Sequence, residues 1–297
     1  MLIDNKLAKK LVESQFPQWA NLPVRPVEVD GHDNRTFHLG EEMTVRLPSG
    51  PGYVDAVEKE NRWLPVLAPH LPLPIPEVLA VGAPGEDFPW PWSVRRWVEG
   101  ETITRENVAD HSALARALAE FLRALEGIPA VSGSPSGEPP FAGEHNFHRG
   151  GDLRVYDGET RETLAEIGPF LREDTALLHR IWERSLSTRW AETPVWLHGD
   201  VAVGNLLVRE GLLWGVIDFG TMGVGDPSSD LVMAWTFFTG ESRKAFAEAM
   251  ALDTDTWDRA RGWALWKALI TFREFRESDP ARAAEAAWIV GEIAAEG

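Results

Sequence analysis

The sequence predicts an α+β fold in two parts: a small β-rich N-terminal lobe over 1–97 and a larger, mainly helical C-terminal lobe over 98–297. Three observations predict it. Short apolar runs separated by turn residues fill the first third, around a single helical segment. Past Glu99-Gly100-Glu101 the apolar spacing becomes helical. Among those later helices lies one island of short apolar runs. It carries His198-Gly199-Asp200, Asn205 and Asp218-Phe219-Gly220.

Residues 4–16 read as an amphipathic helix. Residues 24–29, 35–39 and 43–47 read as strands, with turns at 30–34 and at Gly40-Glu41-Glu42. Residues 53–67 read as a helix interrupted by Pro65, which has no N–H to donate. The proline-rich stretch 69–76 must be extended. Strands at 78–81 and 92–98 complete the first lobe, and Glu99-Gly100-Glu101 marks the hinge. Beyond it, 112–125 and 163–189 read as helical, on either side of a Pro/Gly-rich loop at 132–152. Residues 195–197, 206–208 and 212–217 read as short buried strands. Residues 230–239, 242–250, 257–275 and 281–295 follow as helices.

That placement puts Asp200 and Asn205 on the loop before one strand and Asp218 at the end of the next. Protein kinases carry H-R-D-x-x-x-x-N followed downstream by D-F-G. The step from Asp200 to Asn205 is the same, with Gly199 in place of Arg. Six fixed residues at about 5% each match by chance on the order of 10⁻⁵ for a chain this long. Phosphoryl transfer is mainly positioning and charge stabilisation. A carboxylate must orient the acceptor hydroxyl and take its proton, and Asp200 is the candidate. Mg2+ needs hard oxygen ligands, which Asn205 and Asp218 offer. An ordinary hairpin with Asp, Asn and Gly at its turns is the plainer alternative.

Composition narrows the partners. A net charge of −17 makes nucleic acid or an anionic membrane surface a poor partner and would attract a cationic acceptor. The 297 residues contain no cysteine, which rules out disulfides and thiol catalysis and suits a reducing cytoplasm. The N-terminus does not read as a signal peptide, and no apolar run is long enough to span a membrane.

With these motifs the chain resembles the aminoglycoside phosphotransferase-like family of small-molecule kinases. The specific matches are His198-Gly199-Asp200…Asn205, Ile217-Asp218-Phe219-Gly220 and Gly225-Asp226-Pro227…Asp230-Leu231. The resemblance implies a bilobal protein-kinase-like fold. It implies ATP (or GTP) and Mg2+ as cofactors and transfer of the γ-phosphoryl group to a hydroxyl of a small molecule. An aminoglycoside-type antibiotic is the first acceptor class. A metabolic kinase for a sugar, amino alcohol or macrolide is the alternative, and a nucleotide-binding pseudokinase is a third reading. His198 and Asp230 are implied as supports of the catalytic loop. Gly31 and Asn34 stand where relatives carry a nucleotide-covering loop. Arg46 stands where the phosphate-binding Lys is expected, and its partner on the helix is Glu60, with Glu58 competing. Arg96 and Val98 are the expected backbone contacts to the base at the hinge.

Other features have plain readings beside functional ones. His145-Asn146-Phe147-His148 lacks a third metal ligand at a telling spacing, and its loop could touch the acceptor through Arg149 or Asp152. Trp235, Trp263 and Trp266 read as core packing more than stacking platforms. Glu241, Glu274 and Glu277 read as a solvated face with an outside role as acceptor contacts.

Overall fold

A computed structural model describes residues 2–28, 33–130 and 137–296. The expected loop residue Gly31 lies outside these. The first helix, α1 (Asn5–Gln15), starts where Asp4 accepts a hydrogen bond from the Leu7 N–H at 2.9 Å. Its face of Ala8, Leu11 and Val12 is fully buried. It packs on a five-stranded antiparallel sheet of β1 (Val24–Pro26), β2 (Asn34–Leu39), β3 (Met43–Pro48), β4 (Val78–Gly82) and β5 (Trp92–Arg96). The strand order is β1-β2-β3-β5-β4.

Strand alternation decides which side chains meet. Val45, Leu47, Trp92 and Val94 point to the α1 side and form the core there. Their neighbours Arg46, Ser93 and Arg95 therefore point to the opposite face. That face meets α2 (Val54–Leu67), which runs between β3 and β4. The expectation that Pro65 interrupts this helix is corrected: α2 runs through Pro65 to Leu67. Pro65 sits in the last turn, where the missing N–H costs one bond and the helix is about to end.

Trp63, Leu64 and Leu67 of α2 belong to the large core of the second lobe, so α2 docks on both parts. That lobe begins with β6 (Glu101–Thr102) and α3 (His111–Glu126), capped by Asp110. Helices α4 (Asp157–Ile167) and α5 (Thr175–Leu186) follow. The single helical stretch expected at 163–189 is thus two helices, parted by a 3-10 turn at Gly168–Phe170 containing Pro169. Next come β7 (Val195–Leu197), β8 (Leu206–Arg209), β9 (Leu212–Val216) and β10 (Gly223–Gly225). β6, β8 and β9 form one small sheet, and β7 pairs antiparallel with β10.

The helix expected at 230–239 is also corrected. A 3-10 turn at Pro227–Leu231 leads into the one-turn helix α6 (Met233–Thr236). Helices α7 (Gly240–Met250), α8 (Thr254–Phe275) and α9 (Pro280–Ala294) complete the chain. Among the described residues no helix is long and apolar enough to cross a membrane.

Candidate active site

β7 delivers the turn that begins at His198. Its Trp196 is buried and packs 4.9 Å from Trp63 of α2, which ties the catalytic turn to the helix bearing Glu60. The turn is held from below by Asp230. One carboxylate oxygen accepts the His198 N–H at 2.6 Å and the other accepts the Gly199 N–H at 2.7 Å. Burial pushes the Asp230 carboxyl up, against the pull of His198 and these two amides. Asp226 starts the 3-10 turn that positions Asp230: it caps Ser228 and pairs with buried Arg259 at 2.7 Å.

His198 joins this turn to the next one. Its Nδ1 accepts the Asp200 N–H at 3.2 Å, so its proton lies on Nε2, which donates to the Ile217 carbonyl at 3.0 Å. Gly199 has φ +84°, and a Cβ there would sit 2.4 Å from the Thr221 carbonyl oxygen. A side chain at this position is excluded by both conformation and space, which accounts for glycine in place of arginine.

Asp200 is exposed at the mouth of the turn. The Asn205 amide nitrogen donates to the Asp200 carbonyl at 2.9 Å and to its carboxylate at 3.1 Å. The Asn205 amide oxygen is therefore turned away from Asp200. Asp218 follows β9 in the left-handed region at φ +64°, and accepts from Arg46 Nη2 at 3.0 Å. Burial opposes its charge, but Arg46, His198 and the Gly220 N–H hold the Asp218 carboxyl below the usual carboxylate range.

Arg46 reaches across from β3. It lies 3.4 Å from Glu60, which is fully buried, while Glu58 is exposed. Asn34 is buried beside it. With its amide oxygen turned toward Arg46, it accepts from Nε and Nη2 at 3.1 and 3.0 Å. Burial works against the Arg46 charge, and Glu60 and Asp218 more than offset it, so its pKa is raised.

Sequence reasoning missed Arg95. It is buried on β5, contacts Glu60 at 3.1 Å and donates to its second oxygen at 3.2 Å. Burial lowers its pKa, with Glu60 pulling the other way. The signal was available: Arg95 lies on the strand face that also carries Ser93, and Ser93 is paired with Arg46 in register.

At the hinge, Arg96 is exposed and binds Glu77 at 2.6 Å. Its backbone N–H is given to the Glu77 carbonyl at 2.9 Å, and that of Trp97 to Glu42. Val98 is buried just beyond them. His145 contacts Lys59 at 3.0 Å and the Phe141 carbonyl at 2.8 Å. Among the described residues no cluster of three or more His, Asp or Glu is placed to hold a metal. Trp235, Trp263 and Trp266 are buried in the core.

A cavity of about 640 Å³ opens beside the catalytic turn. Its wall includes Thr104, Arg105, Val203, Phe237, Glu285 and Trp288, and Val203 belongs to the turn between Asp200 and Asn205. The Arg105 guanidinium lies 5.2 Å from the Phe237 ring and 4.7 Å from that of Trp288. Glu241, Glu274 and Glu277 do not line it.

The sequence profile of the "Phosphotransferase enzyme family" matches residues 24–263. An aminoglycoside 3'-phosphotransferase of Escherichia coli is 30% identical over 190 residues, which cover 62% of this chain and 64% of that relative. The chain thus spans less than two thirds of the length of that relative. Among solved structures, the GDP and kanamycin complex of APH(2")-IIia aligns with a TM-score of 0.70 at 20% identity, covering 97% of this chain and 98% of the other. The macrolide 2'-phosphotransferase MphH from Brachybacterium faecium aligns with a TM-score of 0.62 at 21% identity, covering 96% and 97%. At these identities the likeness shows a shared two-lobed α+β fold.

Proposed function

Because the chain belongs to the phosphotransferase enzyme family, we propose that it transfers the γ-phosphoryl group of ATP or GTP to a hydroxyl of a small molecule, with an aminoglycoside-type antibiotic as the first acceptor class. The observation that carries this reading is the joint placement of Asp200, Asn205 and Asp218. Asp230 and His198 bind the two turns that hold them, and Arg46 faces them from the other lobe.

Asp200 is the group that orients the acceptor hydroxyl and takes its proton. It is exposed and borders the cavity through Val203, so an acceptor lying there can present a hydroxyl to it. Arg46, held by Glu60, grips the nucleotide phosphates through its planar donors. The base reaches the hinge near Arg96 and Val98. Because the Arg96 and Trp97 N–H groups are engaged, the Val98 amide is the donor for that contact.

Mg2+ fits the donor set. Asn205 gives its nitrogen to Asp200, which leaves the amide oxygen as a ligand, and Asp218 supplies a carboxylate kept ionised. One or two such protein ligands, with waters and phosphates, are what this ion ordinarily accepts. When bound, it neutralises charge on the phosphates. Glu60 keeps Arg46 aimed at those phosphates, and Asn205 holds Asp200 in place.

A second acceptor reading is supported by Phe237 and Trp288: their aromatic wall suits a substrate with an apolar face, such as a macrolide. The test is Asp200→Ala, assayed for nucleotide-dependent phosphorylation across aminoglycosides and macrolides. A positioned general base is worth about 10²–10⁴-fold, so kcat is expected to fall by that factor while nucleotide binding persists. A variant retaining kcat within about tenfold of wild type would remove Asp200 from the reaction.

A further inference from the structure

Resting on that reading of Asp200, we propose that Arg149 is a positioning residue for the transfer step: it clamps the Gly199 carbonyl and so fixes the peptide that aims Asp200. Its Nε donates to the Gly199 carbonyl at 3.0 Å. Its guanidinium lies over two indoles, 4.9 Å from Trp263 and 5.0 Å from Trp266. Its Nη1 is buried without a hydrogen-bond partner. Among the described residues no carboxylate forms an ion pair with it, and Asp200 and Asp230 act on it through space. Burying a cation with so little direct compensation is costly. A fold keeps such an arrangement where a position matters more than local stability.

The loop that carries Arg149 is fastened on both sides. Asn146 is fully buried, donates to the Arg149 carbonyl at 2.9 Å and accepts the Gly143 N–H at 3.0 Å. The Gly150 carbonyl accepts the Asp226 N–H at 2.8 Å, and the Pro140 carbonyl accepts the Val224 N–H at 2.9 Å. Two glycines permit this approach. Gly150 has φ +82° and would place a Cβ 2.4 Å from Leu197, and a Cβ on Gly225 would sit 2.0 Å from the Gly150 oxygen. Arg149 is therefore fixed before any substrate arrives.

Gly199 now has both sides of its backbone restrained. Asp230 holds its N–H and Arg149 holds its carbonyl. A glycine at positive φ has few intrinsic restraints. Without Arg149 the Gly199–Asp200 peptide keeps only the 3.2 Å hold of His198 on its N–H side, and the Asp200 carboxylate, left to Asn205, loses part of its aim. A lysine would keep a charge but not the planar donor that lies against the two indoles.

The experiment compares Arg149→Met and Arg149→Lys in the full chain. It uses kcat and KM for nucleotide and acceptor, hydrogen–deuterium exchange and thermal unfolding. A misplacement of about 1 Å costs about 10²-fold, so Arg149→Met is expected to lower kcat by that order. Its nucleotide KM should stay within about threefold, with Arg149→Lys recovering part of the loss. Exchange should quicken in 198–205 and not in α2 or the five-stranded sheet. Unchanged exchange across 198–205, or kcat within about threefold of wild type, overturns the proposal. So does faster exchange throughout the molecule in both variants, which would mark Arg149 as packing alone. If wild type phosphorylates no acceptor tried, the proposed function fails, and the exchange result still decides the role of Arg149.

Discussion

Glu60 answers two arginines at once, and this changes what its removal should do. Arg46 at 3.4 Å and Arg95 at 3.1 Å share one buried carboxylate. In Arg46→Ala, Glu60 keeps Arg95 as its partner, so the protein should fold with little loss of stability while nucleotide KM rises about tenfold or more. Arg46→Lys should fall between, since one ammonium cannot serve Glu60, Asp218 and Asn34 together. Glu60→Ala instead leaves buried Arg95 without its carboxylate and beside the Arg46 charge, and should cost about 3–5 kcal/mol. Denaturant unfolding of the two alanine variants checks this: equal losses would mean that Glu60 does not hold the pair together. At this scale the sequence carried much of the site. The Asp200–Asn205 step and the Asp218-Phe219-Gly220 segment were legible because the proposed chemistry demands those residues in that order. The choice of Glu60 over Glu58 depended on helix phase, which sequence spacing alone left open. Arg95 was passed over because a lone strand arginine looks like surface until its face is known.

The elements were legible where periodicity is long and opaque where glycine and proline interrupt it. Helix α8 and strands β3 and β5 show clear apolar spacing. β10 is three residues long with two glycines, so it offers no apolar pattern at all. Yet it forms the seam between β7 and the loop carrying Arg149. The glycines of β10 are there because another backbone lies against them. A Cβ on Gly223 would sit 3.0 Å from the Pro140 carbonyl oxygen and 2.6 Å from the Asn146 side-chain amide, and one on Gly225 2.0 Å from a backbone oxygen that cannot move aside. Gly225→Ala should therefore destabilise by roughly 2–4 kcal/mol and lower activity through the displaced loop. Gly204→Ala is the control. Nothing lies within 4 Å of its added Cβ, so its stability should stay within about 0.5 kcal/mol of wild type. Comparable losses in both would mean that β10 does not depend on close approach.

At the scale of the molecule, acidic charge enters the core as well as the surface. The chain carries a net charge of −17, and one of its carboxyls, Glu126, lies at the end of α3 within electrostatic reach of buried Asp230. Burial, and then the Asp230 charge, push the Glu126 carboxyl from 4.5 up to about 7, with Arg123 only partly relieving it. The end of a helix is also the wrong pole for a negative charge. The folded protein thus holds this proton more tightly than the unfolded chain does. The stability Glu126 contributes is fully present below about pH 4.5 and is lost as pH rises through about 7. Glu126→Gln imitates the protonated form at every pH. It should match wild type near pH 4.5 and exceed it above pH 8 by on the order of 2–3 kcal/mol. Unfolding followed across that window separates this from a packing effect, which would be the same at every pH. Because Asp230 holds the His198 and Gly199 amides, the same substitution should also slow hydrogen exchange in the catalytic turn at alkaline pH. A stability gain that does not depend on pH would show that Glu126 releases its proton at the ordinary value and places no strain on Asp230.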